Sequence, residues 1–139
     1  MIILPAGVIE KMVATASRAL PREAVGFLAG REATAESVVE LDHIGDDRRF
    51  LVTPQSQFLA ERQIRQRGLS ILALFHSHPD GGTHLSPEDI AFAARQSWLQ
   101  VVVAIPSADP SGYRLGVWRV QERRATPVEW MREPATSPI

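Results

Sequence analysis

Four side chains in the middle of the sequence are spaced for chemistry. His76 and His78 stand two apart, and after seven further residues come Ser86 and, three beyond it, Asp89. The run before them, Ser70-Ile-Leu-Ala-Leu-Phe75, reads as a central β-strand ending directly in His76-Ser-His-Pro79. Alternate side chains of a strand share a face, so the two imidazoles project the same way and are able to chelate one metal ion. Ser86-Pro-Glu-Asp89 opens a helix whose first turn delivers Asp89 as an oxygen ligand. Two His and one carboxylate leave a tetrahedral zinc with one position open to water, whose pKa falls to about 7 in such sites. Each element has a plainer reading when taken singly. Strand-end histidines are commonly surface or hydrogen-bonded residues, and Ser at the N-cap, Pro at N1 and acids in the first turn suit any helix start. The combination is what discriminates.

Composition narrows the chemistry further. The 139 residues contain no cysteine, which excludes disulfides, thiolate zinc sites, iron–sulfur clusters and cysteine nucleophiles. Fifteen basic residues against 16 acidic ones give a net charge of −1, without the basic excess that phosphate backbones demand, so no nucleic-acid partner is expected. No run approaches the roughly 18 uncharged apolar residues of a membrane span. Met1-Ile-Ile-Leu-Pro5 lacks the pattern of a signal peptide, and a cytoplasmic location is the expectation.

The positioning elements follow from periodicity. Val8, Ile9, Met12, Val13, Ala16 and Leu20 recur at helical spacing, predicting a helix over 6–19. Ala24 to Ala29 reads as a buried strand with Ser37 to Leu41 as its hairpin neighbour. A second helix runs from about Pro54 to Arg67, closed by Gly68 as an αL cap, and a third from Ser86 to about Ser97. Strands are expected at Leu99–Ile105, at Tyr113–Val120 after a turn at Asp109–Gly112, and near Thr126 to Trp130. Asp80 to Leu85 forms a loop in which Gly81 and Gly82 give the mobility that suits a lid. The reading is one α/β domain over 1–132 with a flexible tail at 133–139. Unpaired sheet edges in such a fold would permit a homodimer. His84 is read as a loop histidine, His43 receives no role, and Trp98, Trp118 and Trp130 are expected in the core or at its rim.

The spacing of His76, His78, Ser86 and Asp89 resembles that of the JAMM zinc metallopeptidases, also called MPN+ or Mov34/JAB1. The family places a Glu upstream at the start of its first strand, in a context like E-x-x-G-x-L-x-G. Glu23-Ala-Val-Gly26-Phe-Leu28-Ala-Gly30 matches it without a gap. The resemblance spans residues 3 to about 120 and implies a JAB/MPN-like fold related to that of cytidine deaminases, a mixed sheet flanked by helices. It implies one zinc per chain held by His76, His78 and Asp89. Glu23 would act as the general base that passes a proton to the leaving amine, and Ser86 would donate to the developing oxyanion. Short prokaryotic members of the family act on ubiquitin-like sulfur-carrier proteins. The expected activity is therefore hydrolysis after a C-terminal Gly-Gly, with the extended tail adding to a strand edge near the site. The alternative is a catalytically silent scaffold or metal-binding module of the same fold. A zinc deaminase is disfavoured by the absence of H-x-E and a Cys pair.

Overall fold

A computed structural model describes residues 1–44, 51–79, 82–106 and 110–132. Helix α1 (Ala6–Ala19) begins after Pro5, whose ring suits the extended backbone at this N-cap. Its buried stripe of Val8, Ile9, Met12 and Ala16 faces the sheet. Strands β2 (Val25–Arg31) and β3 (Thr34–Glu40) form an antiparallel hairpin, and β6 (Ser70–His78) lies antiparallel on the other side of β2. Strand β7 (Leu99–Ala104) runs parallel to β6, and β8 (Arg114–Gln121) and β9 (Arg124–Pro127) complete that side as antiparallel neighbours. Before β3 in spatial order come β1 (Ile2–Ile3) and β10 (Trp130–Met131), giving the order β10-β1-β3-β2-β6-β7-β8-β9. Strands β4 (His43–Ile44) and β5 (Leu51–Val52) make a separate two-stranded ladder. The chain is thus a single-domain α/β fold with a mixed sheet flanked by helices, as the sequence predicts.

Strand alternation divides the core into two. Leu28, Ala73, Phe75, Val101, Val103 and Val117 point toward α1, whereas Phe27, Ala29 and Leu74 point toward α2 (Pro54–Gln66), whose Ala60 and Ile64 are buried. Thr53 caps α2 by accepting from the Ser56 N–H at 3.2 Å, and Gly68 adopts φ +72 beyond its end. The sheet curls around α1 so far that its two edge strands, β9 and β10, are joined by only residues 128–129.

Several boundaries differ from expectation. The third helix, α3 (Pro87–Ala93), stops four residues short of Ser97. Arg95 and Gln96 make only turn hydrogen bonds, and Trp98 is drawn onto Phe27, with ring centroids 4.9 Å apart, so the chain must leave the helical path to enter β7. The strand expected at Thr126–Trp130 is divided between β9 and β10 because the chain passes there from one sheet edge to the other. Strands β1, β4 and β5, two residues each, carry no periodic signal of their own in the sequence. Within the turn expected at Asp109–Gly112, residues 110–112 form a short 3-10 turn. Asp109, residues 80–81 of the glycine loop and the tail 133–139 lie outside the described residues.

Candidate metal centre and active site

Strand β6 carries the site at its C-terminal end. Parity puts Phe75 and Ser77 on the α1 face and His76 and His78 on the opposite one. His76 is 1% exposed. The antiparallel register pairs Val25 with His76, and Glu23 falls beside His78 two steps further each way, past an intervening step that sets Ala24 beside Ser77. That step is held by a reciprocal pair of hydrogen bonds. The Ala24 N–H donates to Ser77 Oγ at 2.8 Å, and the Ser77 N–H donates to the Ala24 carbonyl at 3.0 Å. Glu23 is half-buried, and its charge favours protonation of His78.

The third donor arrives on α3. Ser86 is the N-cap, with Pro87 at N1, and the two polar side chains form a reciprocal box. Ser86 Oγ accepts from the Asp89 N–H at 3.0 Å, and Asp89 Oδ2 accepts from the Ser86 N–H at 2.9 Å. The same Oδ2 lies 3.3 Å from His76 Nε2 and 3.5 Å from His78 Nε2, and the two Nε2 atoms are 3.1 Å apart. A tetrahedral ion with bonds of about 2.0–2.1 Å needs donors about 3.3–3.4 Å apart, roughly 1.6 times the bond length. Three edges of 3.1, 3.3 and 3.5 Å therefore fit one face of such a site, and these are the only three residues so clustered among the described residues. The arrangement could hold a metal ion.

Charge and hydrogen bonding tune the donors in opposite directions. Burial would raise the Asp89 carboxyl, but hydrogen bonds from His76, His78 and the Ser86 amide outweigh it and hold the group well below the carboxylate range. Burial would lower His78, but Asp89, the Gly82 carbonyl and the Glu23 charge raise it above its ordinary value. A carbonyl can only accept, so the 2.7 Å contact from His78 Nδ1 to the Gly82 oxygen places the proton on Nδ1. With Nδ1 protonated, the Nε2 proton that His78 shares with Asp89 is the one lost when the ring becomes neutral, which leaves the Nε2 lone pair on the side of Asp89 and His76 for a metal ion.

A profile of the prokaryotic homologs of the JAB domain matches residues 5–128. The chain belongs to the JAB-domain family. A Thermus thermophilus protein described as a probable TtuB-protein conjugate cleaving protease is 35% identical over 92 residues. The match covers 65% of this chain and 62% of that protein, so this JAB domain aligns with less than two thirds of its relative. The solution structure of DSY2949 from Desulfitobacterium hafniense superposes with a TM-score of 0.85 at 28% identity, covering 96% of this chain and 93% of that one. The JAB1/MPN domain protein AF2198 from Archaeoglobus fulgidus shares the fold at a TM-score of 0.66 and 16% identity, over 96% and 98% of the two chains.

All five residues singled out in the JAB-domain sequence meet here: His76, His78 and Asp89 converge, Ser86 is bonded to Asp89, and Glu23 stands at the His78 side. His84 is exposed, with its ring 5.9 Å from that of Trp118. His43 lies in β4, which carries none of the clustered residues. Sequence reasoning missed Ser77, Gly82 and Trp118 as supports of the site. Ser77 had a signal in its strand parity, which turns a small hydroxyl into a core face. Gly82 contributes only its carbonyl, which no side-chain pattern encodes.

Proposed function

We propose that this JAB-domain protein is a zinc-dependent peptidase or isopeptidase that hydrolyses the bond after the C-terminal Gly-Gly of a ubiquitin-like, sulfur-carrier-type protein. The observation that carries the reading is the triangle of His76 Nε2, His78 Nε2 and Asp89 Oδ2, with edges of 3.1–3.5 Å and an acid, Glu23, beside it. The relative named for cleaving TtuB–protein conjugates supports a protein conjugate as substrate.

His76, His78 and Asp89 would hold the ion. When bound, zinc supplies Lewis acidity, polarising a carbonyl and bringing the pKa of a coordinated water to about 7. Glu23 takes a proton from the attacking water and returns it to the leaving amine, a service worth about 10²–10⁴ in rate. Ser86 already accepts from the Asp89 amide, so its own hydroxyl proton is directed outward to the oxyanion that forms on the scissile carbonyl. Loss of such a donor typically costs on the order of 10²–10³. His78 keeps its Nδ1 proton on the Gly82 carbonyl throughout, which fixes the ring plane.

A tail entering this site needs a free strand edge, and β2, β6, β7 and β8 are each paired on both sides. The β4–β5 ladder follows β3 at the end of the sheet where the Leu41 N–H bonds the Val25 carbonyl, beside the Val25–His76 pair. It is the edge on which an extended diglycine tail would add.

The test is intact mass spectrometry of zinc-loaded protein mixed with ubiquitin-like sulfur carriers extended past Gly-Gly, with Glu23→Gln as control. Mass loss at the diglycine, absent in the control, is the expected result. Zinc-loaded protein that leaves every carrier intact would refute the assignment and favour a scaffold role.

A further inference from the structure

Between the ligand His78 and the helix that carries Asp89, the chain crosses the sheet as a strap, residues 82–85. Two consecutive carbonyls fasten it. The Gly82 oxygen accepts from His78 Nδ1 at 2.7 Å, and the Thr83 oxygen accepts from the Trp118 indole Nε1 at 2.9 Å. The register aligns His76 with Val102 and Val102 with Gly116, so the strap runs from β6 across β7 to β8. Gly116 is fitted to this crossing. A Cβ there would stand 3.0 Å from Thr83 Cβ, 3.1 Å from the Thr83 oxygen and 3.1 Å from Trp118 Nε1. Contacts that tight force the strap to give way by a few tenths of an ångström. One residue of β8 thus leaves room for the strap, and its neighbour two positions on ties it down.

We propose that Trp118 and Gly116 are positioning residues for the His78 ligand. By holding Thr83, they keep the adjoining Gly82 carbonyl against His78 Nδ1, which selects the tautomer with its Nε2 lone pair aimed at the metal. Partners of this kind behind a ligating His typically matter by 10–100-fold in metal affinity, and Trp118 acts one hydrogen bond further out. The inference rests on the metal-centre reading proposed above, but its consequence for the imidazole exists without metal.

Trp118→Phe removes the indole N–H and retains an aromatic ring beside His84. Zinc affinity, measured by competition with a chromophoric chelator, is expected to weaken about three- to tenfold in this variant. In the metal-free protein, nitrogen NMR of the imidazoles at alkaline pH should show His78 as the Nδ1-protonated form in the parent and as a mixture of tautomers in Trp118→Phe. Gly116→Ala, which displaces the strap from the other side, should move both readouts the same way. A parent-like tautomer and zinc affinity in both variants would overturn the proposal. Failure of the parent to bind zinc would instead refute the zinc reading, and the tautomer comparison would still decide whether Trp118 sets the His78 ring.

Discussion

Ser77 sits between the two histidines on the opposite face of β6, and its replacement by Ala separates the support of the site from its ligands. The hydroxyl accepts the Ala24 N–H at 2.8 Å, with Ser77 2% and Ala24 3% exposed. Truncation leaves that amide buried and unbonded, at a cost of about 1–3 kcal/mol. The reciprocal bond from the Ser77 amide to the Ala24 carbonyl survives, so the strand pair persists and about 2 kcal/mol is the expected loss. For a chain of this size that corresponds to a melting temperature lower by about 6–10 °C. Zinc stoichiometry should be unchanged, because neither His76 nor His78 loses a partner. Turnover should fall about tenfold or more, because Ala24 is the mount of Glu23 and a displaced acid transfers protons poorly. Differential scanning calorimetry with a diglycine-extended carrier assay reads both. A variant melting within about 2 °C of the parent at full turnover would show that the Ser77–Ala24 bond neither stabilises the fold nor places the base.

Glu23→Gln should retain one zinc per chain, by elemental analysis, while kcat falls about 10²–10⁴-fold; unaltered kcat would remove Glu23 from proton transfer. Chelation should abolish turnover yet leave the far-ultraviolet circular dichroism in place, because β6 is secured by β2 and β7 and Asp89 by its box with Ser86; unfolding on chelation would make the metal structural. In the metal-free protein, the raised His78 contributes stability that is complete below about pH 6.5 and is lost as pH climbs through its folded value. The lowered Asp89 contributes above about pH 3.8 and fails only in strong acid. Zinc needs the unprotonated Nε2, so the thermal upshift on adding zinc should grow between about pH 6 and pH 8, against a metal-free baseline that declines; a pH-independent upshift would contradict this coupling. Gly26→Ala should cost about 1–3 kcal/mol in urea denaturation, since its Cβ would meet Phe75 Cε1 at 2.6 Å and the Val39 oxygen at 2.7 Å. A parent-like midpoint would mean that β3 moves aside freely.

The clustering of His76, His78 and Asp89 was legible because its two spacing rules are local. Strand parity aligns His76 with His78, and a helix N-terminus fixes Asp89 relative to Ser86. Glu23 was legible only through the family's pattern, since its approach to His78 depends on a pairing between residues about fifty positions apart. The glycines of that pattern acquire a steric reason in the structure, where Gly26 lies against β3 and Phe75 and Gly30 against the Thr34 carbonyl. Long elements with an apolar stripe, α1 and α2 among them, were readable to within a residue or two. The two-residue strands were not, because pairing alone defines them: β1 exists by lying between β3 and β10, and nothing in Ile2-Ile3 states that. Gly82 and Trp118 were hidden for the same reason, since their contacts with His78 and Thr83 run through backbone carbonyls.

The pairing of β1 with β10 also governs when this domain can be finished during synthesis. Ile2 and Ile3 align with Trp130 and Met131, so β1 must wait for β10 to be synthesised before that ladder forms. The candidate site's Glu23, His76, His78 and Asp89, by contrast, all lie in the stretch ending at Asp89. A nascent chain therefore contains every residue of the candidate site before it can seal its sheet. Until residues 130–131 emerge, β1 lacks its β10 partner, and a chain stalled or shortened ahead of them leaves that side of β1 unpaired and open to other chains.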